Sequence, residues 1–288
     1  MYNLALAQIC PRTADVKGNL DKMEHYVVEA GKENAKLVVF PEMALTGYGC
    51  SDRFFEVAEN IPGPSTERLA RLAKDTGAYI IWGMPEMGVP GVLYNSCALV
   101  GPDGYVGKWR KHTLPGHATD SGGPGSFPDT RFFRAGSESP VFDTKIGRIG
   151  MMVCYDTFFP EISRLLTLKG ADLLVFVAGS PAFEREIFEP IVRVRAMENT
   201  VWTAFCNLAG VENNIAYWGG SFAVGPGNVE AKLPGQPILG KAPYDVEALT
   251  FAEIDYSLTS KMRPFFPVIR DLPDRLYEDL GQAARILG

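Results

Sequence analysis

Histidine is scarce in this chain: His25, His112 and His117 are the only three among 288 residues. Imidazole chemistry therefore has few candidates. No His/Asp/Glu cluster carries metal-ligand spacing either, so a metal hydrolase is the poorest catalytic reading and no metal is expected. The five cysteines (Cys10, Cys50, Cys97, Cys154, Cys206) are odd in number, scattered and without CxxC spacing. That argues against a disulfide framework or a structural zinc site, and favours reduced thiols of which at least one is available to react. No apolar stretch approaches the length needed to cross a bilayer. The N-terminal MYNLALAQIC alternates like a strand and lacks a basic n-region and a small-residue cleavage site, so a cytoplasmic address and no membrane partner are expected. Lys/Arg-rich runs are missing too, and the formal net charge is -6. A nucleic-acid partner is not expected.

What is present is an ordinary globular composition, 46% hydrophobic and 22% charged, enough to bury a substantial core. Short runs rich in β-branched, aromatic and aliphatic residues at 4–9, 37–40, 78–83, 149–154, 173–177 and 201–207 read as strands, several apolar on both faces. Between them lie amphipathic stretches. Leu20, Met23, Val27 and Ala30 recur at helical spacing, Leu69, Leu72 and Ala73 follow Pro64-Ser65, and Pro160-Glu161 opens a helix that stops at Gly170. Gly101-Pro102-Asp103-Gly104 predicts a hairpin turn between 96–100 and 105–109. This alternation indicates a layered α/β fold with a mixed sheet. The segment 117–129, rich in Gly, Pro, Ser and Thr, has the composition of a functional loop.

Three positions carry chemistry. Glu42 follows an apolar strand in LVVFPEMALTGY; burial at a sheet's C-terminal edge would raise its pKa into the range of a usable base, whereas taken alone it also reads as a strand-end acid capping a turn. Lys111, in GKWRKHTLPG just past the hairpin, reads alone as a solvated surface charge and needs a partner to mean more. Cys154 ends the apolar run of RIGMMVCYDTFFPE with a helix starting soon after. Electropositive surroundings there would lower the thiol pKa and supply oxyanion donors; the alternative is a core cysteine acting as a small hydrophobe. Together the three are what a thiol attacking an amide carbonyl requires: a nucleophile, a base and a cation for the developing oxyanion.

At this point the sequence resembles the nitrilase superfamily, the carbon–nitrogen hydrolases. FPEMALTGY is similar to the family's glutamate motif, WRKHTLPG to its lysine motif and GMMVCYDTFFPE to its cysteine motif, in the family's order. RVRAMENTVWTAFCN and YNSCALVGPDGYVGKWRK resemble further family segments, so the likeness spans nearly the whole chain. The resemblance implies a four-layer αββα sandwich, assembled through its outer helices into a homodimer or larger oligomer; the tail, rich in Pro, Arg and aromatics, reads as a C-terminal arm (262–288) that packs on a partner subunit, beyond a hydrolase domain of residues 1–261. It implies that Glu42 takes the proton of Cys154, that Cys154 forms a thioester, and that Lys111 and the backbone N–H of Tyr155 stabilise the oxyanion. No organic cofactor is implied. The family's second glutamate is missing from PDTRFFRAG, where Ala135 stands in a proline place. Asp129 is the nearest substitute, ahead of Glu138, unless it is a loop aspartate in a turn.

Tyr155-Asp156 in place of the Trp-Glu of true nitrilases resembles the amidase branches. Thr157, Phe158 and Phe159 stand where carbamoyl-amino-acid hydrolases carry carboxylate-binding arginines. A small, uncharged linear amide is the expected substrate. N-carbamoyl compounds are the alternative, because LPGH (Leu114 to His117) is similar to some carbamoyl hydrolases, with nitriles behind them. Phe158, Phe159, Phe183, Trp218 and His117 are candidate substrate-binding residues, although aromatics near a core more often serve packing. Two rivals stand beside this reading. A Cys–His enzyme would use His112 or His117, and a non-catalytic binding protein would explain the altered second carboxylate. Arg193, Arg195 and Glu198 fall on a helix where i, i+3 ion pairs would brace the structure.

Overall fold

The computed structural model describes residues 1–116 and 129–287. One sheet contains β1 (Tyr2–Gln8), β2 (Ala35–Val39), β3 (Tyr79–Val89), β4 (Val92–Gly101) and β5 (Gly104–Arg110). The second is built on β6 (Val141–Thr144), β7 (Gly147–Val153), β8 (Leu173–Ala178) and β9 (Trp202–Asn207). After a hairpin of β10 (Ala209–Glu212) and β11 (Ile215–Trp218), β12 (Phe222–Val224) returns to that second sheet. A small ladder of β13 (Gly227–Asn228) and β14 (Leu233–Pro234) precedes β15 (Ile238–Leu239) at the second sheet's edge. The last strand, β16 (Ala248–Ile254), crosses back to close the first sheet against β1. Both sheets are six-stranded, in the orders β16-β1-β2-β3-β4-β5 and β15-β12-β9-β8-β7-β6.

Alternation in the strands explains the layers. In β1, Leu4 and Leu6 face the second sheet, while Ala5 and Ala7 face the helices α1 (Val16–Lys32) and α3 (Pro64–Thr76). A short helix, α2 (Phe54–Val57), lies between these two in the chain. Small residues on the outer face let the helices approach; larger ones on the inner face fill the space between sheets. The second sheet does the same. Met151, Val153, Val175 and Val177 contribute to the core that also takes Leu166 of α5 (Pro160–Leu168) and Phe188, Val192 and Ala196 of α6 (Arg185–Asn199). Strands covered on both faces read as unbroken apolar runs. Helix, sheet, sheet, helix is the four-layer sandwich expected.

The local signals act as anticipated. Asp15 caps α1 by accepting from the Gly18 N–H at 2.9 Å, and Pro64 and Pro160 occupy the first turns of α3 and α5. The hairpin at 101–104 joins β4 to β5. Within α5, Leu166 is buried but Leu165 and Leu168 point outward. The remaining helices are α4 (Asp129–Phe132), α7 (Ser257–Met262) and α8 (Asp274–Leu287). Met262, at the end of α7, is buried, and α8 follows with the side chains of residues 274–286 exposed. Among the described residues no helix is long and apolar enough to cross a membrane.

Candidate active site

The parallel strands bring distant segments to one edge. β7, β8 and β9 run side by side with Val153 opposite Val177 and Ala178 opposite Asn207, so Cys154, Gly179 and Asn207 end neighbouring strands. On the facing sheet, β2 ends at Val39 and the chain turns through Pro41-Glu42. That turn is stitched to β3, with the Gly83 N–H donating to the Pro41 carbonyl at 3.0 Å and the Leu45 N–H to the Gly83 carbonyl at 3.3 Å. Gly83 is required there, since a Cβ would stand 2.5 Å from the Glu42 Cα.

Glu42 is fully buried and each of its oxygens is engaged. Oε1 accepts from Lys111 Nζ at 2.8 Å and Asn95 Nδ2 at 2.7 Å; Oε2 accepts from the Gly179 N–H at 2.8 Å. Burial raises its pKa, the charge of Asp129 adds to the rise, and Lys111 opposes it. Lys111, expected alone to be a solvated charge, is fully buried. Its ammonium bridges Glu42 and Asp129, at 2.8 Å from each. Burial works against that charge, but Asp129 and Glu42 outweigh it and hold the lysine pKa well above its ordinary value. Its backbone is fixed as well, donating to the Asn95 carbonyl and accepting from the Gly136 N–H, both at 2.8 Å.

Asp129 is no surface turn residue. It opens α4, is fully buried, and accepts from Lys111 Nζ, from the Tyr48 hydroxyl and from Asn95 Nδ2 at 3.1 Å. The shorter side chain therefore reaches the lysine. Glu138 is exposed on the loop beyond Gly136.

Cys154 is followed by a 3-10 turn, Cys154–Phe158, and α5 opens at Pro160 as the sequence predicts. Cys154 itself has φ +46, a left-handed conformation unusual for a side-chain-bearing residue, which breaks the strand sharply. Contrary to expectation, the thiol pKa is not lowered. Burial, with the Glu42 charge added, pushes it well above its ordinary value, against the pull of Lys111. The Gly179 N–H, at the end of the neighbouring strand, donates to Glu42, and Glu42 and Lys111 dominate the field at the sulfur after burial. A buried neutral thiol beside a carboxylate of raised pKa can pass its proton over only as the new bond forms.

Several positioning residues escaped the sequence reading. Asp156 is fully buried and joins the two catalytic turns: it accepts from Trp109 Nε1 at 2.9 Å, from the backbone N–H groups of His112, Thr113 and Val153 at 3.0–3.1 Å, and from the Thr113 hydroxyl at 2.8 Å. It lies two residues past the cysteine, in the motif quoted for it. Tyr48 and Asn95 likewise sat inside quoted motifs without being singled out. Arg195 does form its i, i+3 pair with Glu198 at 2.9 Å, but its Nε also donates to the Thr157 carbonyl at 3.1 Å, bracing the cysteine turn from α6.

The aromatic candidates are placed differently. Trp218 is buried, stacked on Phe205 at 5.4 Å, and its indole N–H donates to Ser180 Oγ at 3.0 Å. Phe158 is half-buried against Phe188 and Tyr155. Phe183 is exposed. The His112 ring stacks on Trp109 at 4.2 Å, with Nδ1 at 3.1 Å from the Arg110 carbonyl, and His25 is exposed on α1. His117 lies outside the described residues.

Comparison with known proteins bears on the family and the fold. The family model described as carbon-nitrogen hydrolase matches residues 3–263. A protein named nitrilase from Pyrococcus abyssi is 35% identical over 280 residues, covering 95% of each chain. Omega-amidase NIT2 of Homo sapiens is 32% identical over 287 residues, covering 96% of each. The crystal structure of Saccharomyces cerevisiae Nit3, a member of branch 10 of the nitrilase superfamily, superposes with TM-score 0.81 at 26% identity, covering 96% of each chain. With the sandwich, the motifs and the match extending over nearly its whole length, the chain belongs to the carbon–nitrogen hydrolase family, the nitrilase superfamily.

Proposed function

We propose that the protein hydrolyses the carbon–nitrogen bond of a small linear amide, one without a carboxylate on its acyl group, through a thioester on Cys154. The observation that carries this reading is the buried Glu42–Lys111–Asp129 cluster, in which Glu42 and Lys111 act electrostatically on the thiol of Cys154. In the reaction, Glu42 takes the proton from the Cys154 sulfur as it attacks the carbonyl carbon. The carbonyl π electrons move to oxygen, where the Lys111 ammonium and the Tyr155 backbone N–H stabilise the charge. Collapse of the tetrahedral species breaks the carbon–nitrogen bond, and the nitrogen leaves as ammonia or an amine with the proton held by Glu42. Water then gives its proton to Glu42 and attacks the thioester; the acid departs and the thiol recovers its proton. Asp129 keeps Lys111 charged in a site that excludes water.

Relatives bear the names omega-amidase and nitrilase, and Tyr155-Asp156 in place of Trp-Glu favours the amide. Ammonia release from aliphatic amides, aromatic amides, N-carbamoyl amines and nitriles, with intact mass of the protein, tests it. Aliphatic amides release ammonia with an acyl adduct on Cys154, and Cys154→Ala does neither. Equal release by that variant, or none by the native protein from any amide, removes the reading.

The exposed α8 supports a second element of the proposal, assembly of the chain with a copy of itself. Leu276, Tyr277 and Leu280 lie at helical spacing and are all exposed, and Leu165, Leu168, Val194 and Met197 are exposed on α5 and α6. Apolar stripes of this kind on an otherwise polar helix suit burial against a partner.

A further inference from the structure

We infer that Glu184 is a specificity-determining residue, which selects amides carrying an ammonium group and disfavours those carrying a carboxylate. The inference rests on the hydrolase reading above and narrows its substrate class from amides lacking a carboxylate to amides bearing a cation.

Glu184 stands on the wall that follows β8. Gly179 opens that wall by donating to Glu42, and Ser180 is clamped by Asn207, which accepts from its N–H at 2.8 Å and donates to its carbonyl at 3.1 Å. Pro181 bridges to Tyr217, and a 3-10 turn, Ala182–Glu184, leads into α6. The wall is therefore pinned at Gly179, Ser180 and Pro181 along the short stretch that leads to Glu184. Its last side chain is also aimed: Trp218 donates to Ser180 Oγ at 3.0 Å, which leaves the serine proton to donate to Glu184 Oε2 at 3.2 Å. Trp218, expected to line the pocket, instead sets the direction of this relay.

Among the described residues the carboxylate has no cation of its own. Among the described residues only Ser180 hydrogen-bonds its side chain, and no lysine or arginine forms an ion pair with it. Yet it is only half-buried, and its charge is felt at both Cys154 and Glu42. Burial, with the Glu42 charge added against the Ser180 hydrogen bond and Lys111, pushes its carboxyl up to about 7. Among the described residues, Glu42, Glu184 and Lys111 act on the thiol, and Asp129 pairs with that same lysine. A substrate carboxylate would add like charge to that excess, whereas an ammonium would supply the missing partner. The exposed acids of α6, such as Glu186, already pair with Arg185.

The experiment compares kcat/KM for matched aliphatic amides ending in an amine, a methyl or a carboxylate. A parallel set carries the amine or the methyl on the departing nitrogen side. The native protein prefers the amine-terminated member of at least one set over its methyl counterpart by about tenfold or more, and turns over the carboxylate poorly. In Glu184→Gln the amine-to-methyl ratio collapses towards one and the carboxylate gains; Glu184→Asp keeps part of the ratio, and Glu186→Gln keeps all of it. An unchanged ratio in Glu184→Gln, or a native preference for the carboxylate, overturns the assignment while leaving the hydrolase reading intact. If no amide of either set acylates Cys154 in the native protein, the hydrolase reading fails and this assignment fails with it.

Discussion

Asp129 is where the chain departs from its family's pattern, and Asp129→Asn tests what the departure does. The substitution keeps the shape but removes one of the two charges facing a fully buried ammonium. It also turns one acceptor into a donor, among three groups that now donate to the carboxylate: Lys111 Nζ, Asn95 Nδ2 and the Tyr48 hydroxyl. Tyr48 can rotate its hydroxyl to accept from the new amide, so the hydrogen-bond loss is small and the missing charge dominates. Removing one member of a buried ion cluster costs about 3–5 kcal/mol, and the retained shape places this variant near the lower end. At roughly 2–4 °C per kcal/mol for a chain of this class, the melting temperature falls by about 6 °C or more. Lys111 then has a single counter-charge and sits less firmly where the oxyanion forms. Loss of one positioned donor of this kind costs about a hundredfold in kcat, with a smaller effect on KM. The assay is steady-state hydrolysis of a methyl-terminated aliphatic amide together with thermal unfolding, and Asp129→Glu, which restores the charge, recovers part of the activity. If Asp129→Asn stays within about threefold of native kcat/KM and melts at the native temperature, the claim that this carboxylate holds the lysine is wrong.

Two further outcomes follow from the same geometry. Glu42 must be ionised to accept the thiol proton, and its pKa is raised by burial, so kcat/KM for the methyl-terminated amide falls as the pH drops through a midpoint above the ordinary 4.5; a pH–rate profile with its acid limb at or below that value contradicts the assignment. Placing charge on the outward face of α8, as in Leu276→Glu with Leu280→Glu, converts the assembled protein to monomers in sedimentation velocity; a native chain that already sediments as a monomer, or a variant that sediments as the native does, argues against self-association through this helix.

Strand positions were readable because Leu4, Leu6, Leu37 and Val39 alternate with residues that face helices, and the period of a strand is independent of what it packs on. The hairpin at 101–104 was readable from its turn residues. Glu42, Lys111 and Cys154 were recognisable as a set by motif and order, although each alone had an ordinary explanation. Pairwise placement was less accessible. Nothing in WRKHTLPG distinguishes a buried lysine from a solvated one, because its burial depends on two acids 69 and 18 residues away. The thiol pKa was misjudged for a related reason. Local N–H groups favour the thiolate, but complete burial and the Glu42 charge, both tertiary, outweigh them. Trp218 shows the same limit: its aromatic character suggested a pocket wall, and only its hydrogen bond to Ser180 reveals that it orients a neighbour.

By itself, then, the amino-acid order determined the layers, the strand-end positions of the reactive groups and the family, since periodicity, turn chemistry and motif spacing are properties of neighbouring residues. The tertiary structure alone decided that Asp129 reaches Lys111, that Asp156 ties the lysine turn to the cysteine turn, and that Glu184, held by Ser180, stands in the field of the thiol with no ion-pair partner among the described residues. Each of these depends on charges and donors brought together from remote segments in a medium that water no longer screens.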